Sequence, residues 1–329
     1  MREDDTSATR TDINTAIIMK TFKTTALMRI LPVILLLFAL RAVAQQDPMY
    51  NQYIFNAYTI NAAEAGTRNY GTASMLYRWQ WVGIEGAPAT GSFGVETGFG
   101  KGWGFGLNAV DDRIGPAQNQ TVNLSLAYHL SLSNTVRMGV GLNGVSNIQR
   151  VSLSRLQNLT DLNDPKLANN INNFNPNVGG GIMIYSKRSF FGASMPRFIE
   201  YKLTNNDLVS LDQLRHIFIY GGHIFDVGPH IKVKPSVMAK VVNGAPVEFD
   251  LNGVISLYDV IDLGANYRVG DGVGLLFGLT VMERLILNYA YEIPLTQIRF
   301  GSIQTHEVGV RYRFGRAHFN RIQSPRFFN

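Results

Sequence analysis

Apolar and polar residues alternate at every second position along most of this chain. Ile231, Val233, Val237, Ala239 and Val241 share one face, and His230, Lys232, Lys234, Ser236 and Lys240 share the other. Val247, Phe249, Leu251, Ile255 and Leu257 oppose Glu248, Asp250, Asn252 and Ser256 in the same way. So do Ile261, Leu263, Ala265 and Tyr267 against Asp262, Gly264, Asn266 and Arg268. Near the end, Val308, Val310, Tyr312 and Phe314 oppose Glu307, Gly309, Arg311 and Arg313. A period of two belongs to a strand with unlike faces, and the helical period of 3.6 does not fit it. Earlier segments agree: Val122, Leu124, Leu126, Tyr128 and Leu130, then Val136, Met138, Val140 and Leu142. Only Ile217–Phe225 alternates poorly.

Fourteen strands are predicted, near 71–82, 90–98, 102–110, 119–131, 135–148, 177–185, 190–195, 214–225, 230–242, 247–257, 260–269, 273–281, 285–292 and 305–314. Most are longer than the ~5–6 residues of a soluble strand and match the ~9–11 of a tilted membrane strand. The apolar window Gly272–Tyr291 does not read as a spanning helix. Glu283 and Arg284 sit at its centre, where each charge costs roughly 2.5–3.5 kcal/mol; a hairpin turn there accommodates both.

Connections after even-numbered strands are short, around Gly100, Ser133, Lys187, Val227, Asp259 and Glu283. Those after odd-numbered strands are longer, at 83–89, 111–118, 149–176, 196–213 and 293–304, with 243–246 and Gly270–Gly272 the weaker cases. Alternating short turns and long loops mark outer-membrane barrels, whose short turns lie on the periplasmic side. An even strand count then places both termini in the periplasm. Trp79, Trp81, Trp103, Tyr128, Tyr289, Tyr291 and Tyr312 fall near strand ends, as interfacial girdles require. The fold expected is an all-β transmembrane outer-membrane barrel of about fourteen antiparallel strands, with an N-terminal non-strand arm or plug. The last strand must pair with the first, because lipid leaves no sheet edge satisfied. The side opposite the apolar face, from Arg78 to Arg313, carries both signs of charge and reads as a satisfied polar lumen.

Four segments are expected. Residues 1–44 read as a signal peptide: Lys20, Lys23 and Arg29 precede the apolar run Ile30–Leu40, and Ala42-Val43-Ala44 supplies the cleavage site. Met19 is a possible true start. Residues 45–70 do not alternate and are the candidate periplasmic arm or plug; 71–315 form the barrel, and 316–329 a tail.

The chain has 329 residues and a formal net charge of +6. Removing 44 residues with six Lys/Arg and four Asp/Glu leaves (30 − 6) − (24 − 4) = +4 over 285 residues. That charge is mild and scattered, so no nucleic-acid partner is expected. There is no cysteine, which excludes disulfides, thiol catalysis and Cys-ligated zinc or iron–sulfur sites. Gly139-x-Gly141-x-x-Gly144 matches a dinucleotide fingerprint in spelling. It lies within a strand, so the helix N-terminus that would hold a pyrophosphate is missing; its glycines read as relief of crowding on the inner wall. His129, His216, His223, His230, His306 and His318 form no helical metal pair, and His306 and Glu307 face opposite ways. No Gly-x-Ser-x-Gly is present. No enzyme activity, cofactor or metal is expected.

Several motifs carry a family resemblance. Gln46-Asp47-Pro48, Gln52-Tyr53, Asn56 and Asn61-Ala62-Ala63-Glu64-Ala65-Gly66 open it; the family pattern at the last has proline and tyrosine where Ala62 and Glu64 stand. Tyr77-Arg78-x-Gln80-Trp81-Val82-Gly83 with Gly86-Ala87-Pro88-x-Thr90 continues it, and Tyr289-x-Tyr291-Glu292 and His306-Glu307 lie near its end. With these the chain resembles the PorP/SprF family of Bacteroidetes, outer-membrane proteins of the type IX secretion system and gliding machinery. The resemblance implies a fourteen-stranded barrel that assists export, anchoring or surface display of secreted adhesins bearing a C-terminal sorting domain. It also implies a periplasmic peptidoglycan-linked lipoprotein or OmpA-like partner, beside the outer-membrane lipids. Asp47, Pro48, Gln52, Tyr53, Asn56, Arg78, Gln80 and Trp81 are the candidate partner or plug contacts. The alternative is a diffusion channel for small or hydrophobic solutes, with the N-terminal segment as its hatch.

Overall fold

Alternation that faces lipid on one side must close into a ring, and it does. The computed structural model describes residues 57–68, 70–152, 170–201, 204–205, 209–210, 213–295 and 304–315. The described residues other than Gly244–Pro246 fall in one compact unit. Its first seven strands are β1 (Gly71–Val82), β2 (Ala89–Gly100), β3 (Trp103–Ile114), β4 (Ala117–Ser131), β5 (Arg137–Val151), β6 (Ile171–Tyr185) and β7 (Ser189–Met195). Three two-residue strands and one of ordinary length follow: β8 (Thr204–Asn205), β9 (Val209–Ser210), β10 (His216–His223) and β11 (Phe225–Asp226). The remainder are β12 (Ile231–Val242), β13 (Glu248–Leu257), β14 (Ile261–Arg268), β15 (Gly272–Val281), β16 (Leu285–Pro294) and β17 (Gln304–Phe314).

Strands β1 to β7 pair in sequence, β7 joins β10, β10 joins β12, and β12 to β17 pair in sequence. β17 returns to β1 with Val310 opposite Met75 and Glu307 opposite Arg78. Fourteen antiparallel strands thus form a closed barrel, as the sequence pattern requires.

β11 is the continuation of β10. Gly222 faces Ser236 and Phe225 faces Val233, so the register is unbroken between them. The ladder lapses at His223 and Ile224, which lie opposite Pro235 and Lys234. A proline has no N–H to offer, while Ile224 N–H donates to Arg188 O on the β7 side, at 2.8 Å, continuing the β10–β7 ladder.

Burial is inverted relative to a soluble protein. Met75 and Leu142 are 63% and 65% exposed, whereas Lys234 and Glu307 are fully buried. The apolar face therefore lies outside, against lipid, and the charged face lies within. Tyr77 and Trp79 pack together on the outer wall with ring centroids 4.4 Å apart, as do Trp103 and Tyr128 at 4.9 Å.

Three expectations need correction. The connection expected at 111–118 is only Gly115–Pro116, because β3 and β4 run on past the apolar band. β4, β5 and β6 have 15 residues each; at a tilt of ~45° that is roughly 35 Å against an apolar band of ~25 Å. The loop expected at 196–213 holds the small β8–β9 ladder and a Tyr201–Gln213 bridge below it. The lumen is also not wholly polar. Met183, Tyr185, Phe190, Phe218, Tyr220, Met238, Val254 and Leu276 form an apolar cluster inside the barrel. This explains the poor alternation of 217–225: Ile217 and Ile219 face out while Phe218 and Tyr220 face in.

Leu126 lies mid-strand on the outer face. Leu126→Arg is expected to destabilise the barrel by about 2–4 kcal/mol in urea titrations in lipid vesicles, whereas Gln118→Arg, above the band on the same strand, changes it by less than about 1 kcal/mol. Equal effects at the two positions would contradict the placement of the apolar band.

Candidate functional site

The short connections after β2, β4, β6, β11, β13 and β15 gather at one end of the barrel, the turn end. Residues 57–68 lie inside the half of the lumen nearest that end. Two 3-10 turns, Ala57–Thr59 and Ala62–Glu64, shape the segment. Asn61 caps the second: its backbone is extended and its side-chain oxygen accepts from Ala63 N–H at 2.9 Å. Thr67 Oγ1 donates to Glu64 O at 2.9 Å and closes the segment's end.

The wall is carved to receive this segment. A Cβ added at Gly104 would lie 2.0 Å from Ala65 O, and one at Gly141 2.3 Å from Ala63 N. One at Gly94 would fall on the Tyr58 hydroxyl. Small residues on the segment (Ala62, Ala63, Ala65, Gly66) thus meet glycines on the wall, and backbone approaches backbone. Gly139 and Gly141 face this contact; Gly144, the third glycine of the fingerprint, meets nothing within 4 Å. The motif is a seat for peptide rather than for phosphate.

Side chains from β4, β6, β7 and β10 fix the segment in place. Asn61 Nδ2 donates to Ile182 O at 3.1 Å and to Tyr220 Oη at 3.0 Å. Tyr220 in turn donates its hydroxyl proton to Glu64 Oε1 at 2.9 Å. Ser194 Oγ donates to Ile60 O at 2.7 Å. His129 Nε2 lies 2.9 Å from Ala65 O, which can only accept, so Nε2 carries the proton. His129 Nδ1, at 3.2 Å from the Tyr185 hydroxyl, then accepts.

The opposite wall fills its own space with charge. Arg78 reaches Glu292 and Glu307, each at 3.3 Å. Arg268 meets Asp250 at 3.0 Å, Glu248 at 3.2 Å and Asp271 at 3.2 Å. Lys240 pairs with Glu248 at 3.1 Å and Lys234 with Asp262 at 3.5 Å. Among the described residues six buried cations (Arg68, Arg78, Lys234, Lys240, Arg268, Arg311) face seven buried carboxylates (Glu64, Glu96, Asp112, Asp250, Asp262, Glu292, Glu307). Such near balance suits mutual pairing, not a selectivity ring of one sign. In the connection after β7, burial pushes the Arg197 guanidinium down to about 10, so it remains a cation at neutral pH.

The residues singled out by sequence do not converge on one ligand. Arg78 is 3% exposed and engaged by carboxylates. Gln80 and Trp81 belong to the rim of β1, where Gln80 N–H donates to Pro88 O at 2.9 Å. Trp81 has φ 53° within a register shift between Trp79 and Val82. Asp47, Pro48, Gln52, Tyr53 and Asn56 lie outside the described residues. Sequence reasoning missed Glu64, His129, Ser194 and Tyr220 as anchors. The available signal was a small-residue run, Ala62 to Gly66, in a chain with inward glycines on several strands. Among the described residues no cluster of three His, Asp or Glu is placed to hold a metal. His306 packs on the outside beside Tyr289, while Glu307 is buried within.

A family model described as the type IX secretion system membrane protein PorP/SprF matches residues 42–312. This chain belongs to the PorP/SprF family. It is therefore a secretion-related outer-membrane barrel. No curated protein matches it. Among solved structures, the PorP/SprF chain is similar to the CymD monoaromatic hydrocarbon channel at 9% identity, covering 84% of this chain and 96% of that one, with a TM-score of 0.48. A Pseudomonas aeruginosa FadL homologue follows at 12% identity, 82% and 95% coverage and a TM-score of 0.46. The Acinetobacter baumannii outer membrane protein Omp33 matches at 9% identity, 76% and 100% coverage and 0.44. These likenesses are too distant to carry an argument about function.

Two outcomes test the geometry. Gly141→Leu drives a side chain into the Ala62–Ala63 peptide, so trypsin should cut after Arg68, now 6% exposed, roughly tenfold faster in the folded barrel. An unchanged rate contradicts the seating. Arg78→Ala leaves Glu292 and Glu307 without their shared cation; a loss of about 3–5 kcal/mol in urea unfolding is expected. Adding Glu292→Gln and Glu307→Gln should restore part of that loss.

Proposed function

We propose that this protein is a non-enzymatic barrel that assists export, anchoring or surface display of a secreted adhesin. The observation that supports this most is family membership in a chain whose lumen is occupied. Residues 57–68 lie within the turn-end half of the lumen against β2 to β10, and buried ion pairs line the facing wall. A barrel of this kind is suited to holding a partner, not to passing bulk solute. Its client on this reading is an adhesin with a C-terminal sorting domain, and its periplasmic partner is a peptidoglycan-linked lipoprotein or OmpA-like protein.

Both ends of the barrel strands, at Gly71 and Phe314, lie at the turn end. Short turns are periplasmic in outer-membrane barrels, which supports a periplasmic position for both termini. Asp47, Pro48, Gln52, Tyr53, Asn56, Gln80 and Trp81 are then candidate contacts for the plug or a partner, and Arg78 pairs with Glu292 and Glu307 in the wall.

A second reading has one observation in its favour. The cluster of Met183, Phe218, Met238 and Leu276 gives the lumen an apolar region, which a hydrophobic solute could cross if residues 57–68 moved. Three measurements separate the readings. In planar bilayers the intact protein should show no steady conductance and no solute-dependent uptake, and from its host in mild detergent it should copurify with an adhesin's C-terminal domain. Deleting its gene should lower surface display of at least one such adhesin. Unchanged display of every one, together with steady solute-dependent conductance, would replace the first reading by the second.

A further inference from the structure

The outer face of the barrel changes character on its tall side, toward the loop end opposite the turns. β4, β5 and β6 overtop the apolar band by roughly 10 Å. Strand register sets the outward residues of β3 to β6 in rows. Leu124, Leu126 and Leu142 lie in the apolar rows, all exposed, and Val122 closes them. The next row toward the loop end holds Asp111, Gln120, Ile148 and Phe174, and the one beyond it Arg113, Gln118, Arg150 and Asn172. The wall thus passes from aliphatic to amide and guanidinium within two rows. On the other side of the barrel the outward residues stay apolar to the loop end, at Phe249, Tyr267, Val273 and Ile293. Arg113 Nε donates to Asp111 Oδ2 at 2.9 Å, and Asp111 Oδ1 accepts from Gln118 and Gln120. The Arg113 side chain is still 66% exposed. Arg150 stands exposed two strands away, or roughly 10 Å. Two arginines against one aspartate leave this face one positive charge in excess.

We propose that the loop-end outer face of β3 to β6 binds the phosphorylated sugar headgroup of an outer-leaflet glycolipid. Arg113 and Arg150 take its phosphates, since a guanidinium matches phosphate oxygens bidentately. Gln118, Gln120 and Asn172 meet its sugar hydroxyls, which donate and accept as side-chain amides do. Its acyl chains lie on Val122, Leu124, Leu126 and Leu142, so the polar face continues a surface that already meets lipid. The height of the face favours a sugar headgroup: a single phosphate at the band edge would be met by one row, whereas two rows rise here. The proposal rests on the periplasmic position of the turn end, which puts this face in the outer leaflet, and is independent of whether the barrel serves an adhesin.

Native mass spectrometry of the purified mature protein in detergent, titrated with bis-phosphorylated lipid A, tests this. Lipid A should bind at least fivefold more tightly than dephosphorylated lipid A or phosphatidylglycerol. Arg113→Gln combined with Arg150→Gln should lower lipid A affinity at least fivefold, while Arg284→Gln at the turn end leaves it unchanged. Folding is verified by the mobility of unheated samples on gels. Unchanged affinity in the double variant overturns the proposal. So does phosphatidylglycerol binding as tightly as lipid A, or a matching loss in Arg284→Gln, which would make the effect one of net charge. If the double variant does not fold, the two single variants are read instead, each at least twofold weaker; no loss in either overturns the proposal. Orientation is read separately. The chain has no cysteine, so Ile114→Cys at the loop end should react with a membrane-impermeant maleimide on intact cells. Reaction only after the outer membrane is opened overturns the proposal through its orientation, whatever the lipid titration shows.

Discussion

An amide without a partner costs several kcal/mol in hydrocarbon, and the rest of this structure follows from that penalty. The sheet must close, so β17 pairs with β1 and the strand number is even. Closure fixes an inside and an outside for every residue. A period-two sequence then places its apolar half against lipid and its polar half in a confined lumen. Pro235 on β12 shows how local the penalty is. The ladder lapses for two residues opposite Pro235 and Lys234, while on the other side Ile224 N–H continues the pairing with β7 at Arg188.

Confinement makes the lumen a packing problem with two solutions. On the side from β12 through β17 to β1 long charged chains line the space and neutralise one another, as Arg78 does between Glu292 and Glu307. On the β2 to β7 side the wall is stripped to glycine, and the chain's own residues 57–68 fill it. The second solution couples the N-terminal segment to the barrel through hydrogen bonds of Asn61, Ser194, His129 and Tyr220. These are single side-chain contacts, in contrast to the continuous ladders between strands.

Much of the fold was legible because alternation reports environment directly. Ile231 to Val241 and Val308 to Tyr312 could lie nowhere but on a two-faced strand. The weak stretch at 217–225 was obscure for the same reason: Phe218 and Tyr220 line an apolar patch inside, so both faces read alike. Loop lengths were overestimated at 111–118 because polar residues such as Asp111, Gln118 and Gln120, paired with one another at the top of a tall wall, resemble a loop in sequence. The site was the least legible part. Gly139 and Gly141 signalled a missing side chain, but what replaced it depends on pairings more than a hundred residues apart, such as Asn61 with Tyr220. No local pattern records such contacts.

The barrel wall is apolar and exposed on its outer face and polar and buried on its inner one, as β13 shows. Spin labels placed singly along β13, from Phe249 to Ile255, in lipid vesicles test it most directly, since oxygen partitions into lipid and a nickel chelate stays in water. The account predicts oxygen accessibility that rises and falls with a period of two, high at 249, 251 and 255, and low accessibility to the nickel chelate at 250, 252 and 254. Uniform oxygen accessibility along the strand, or luminal positions open to the chelate, would contradict it.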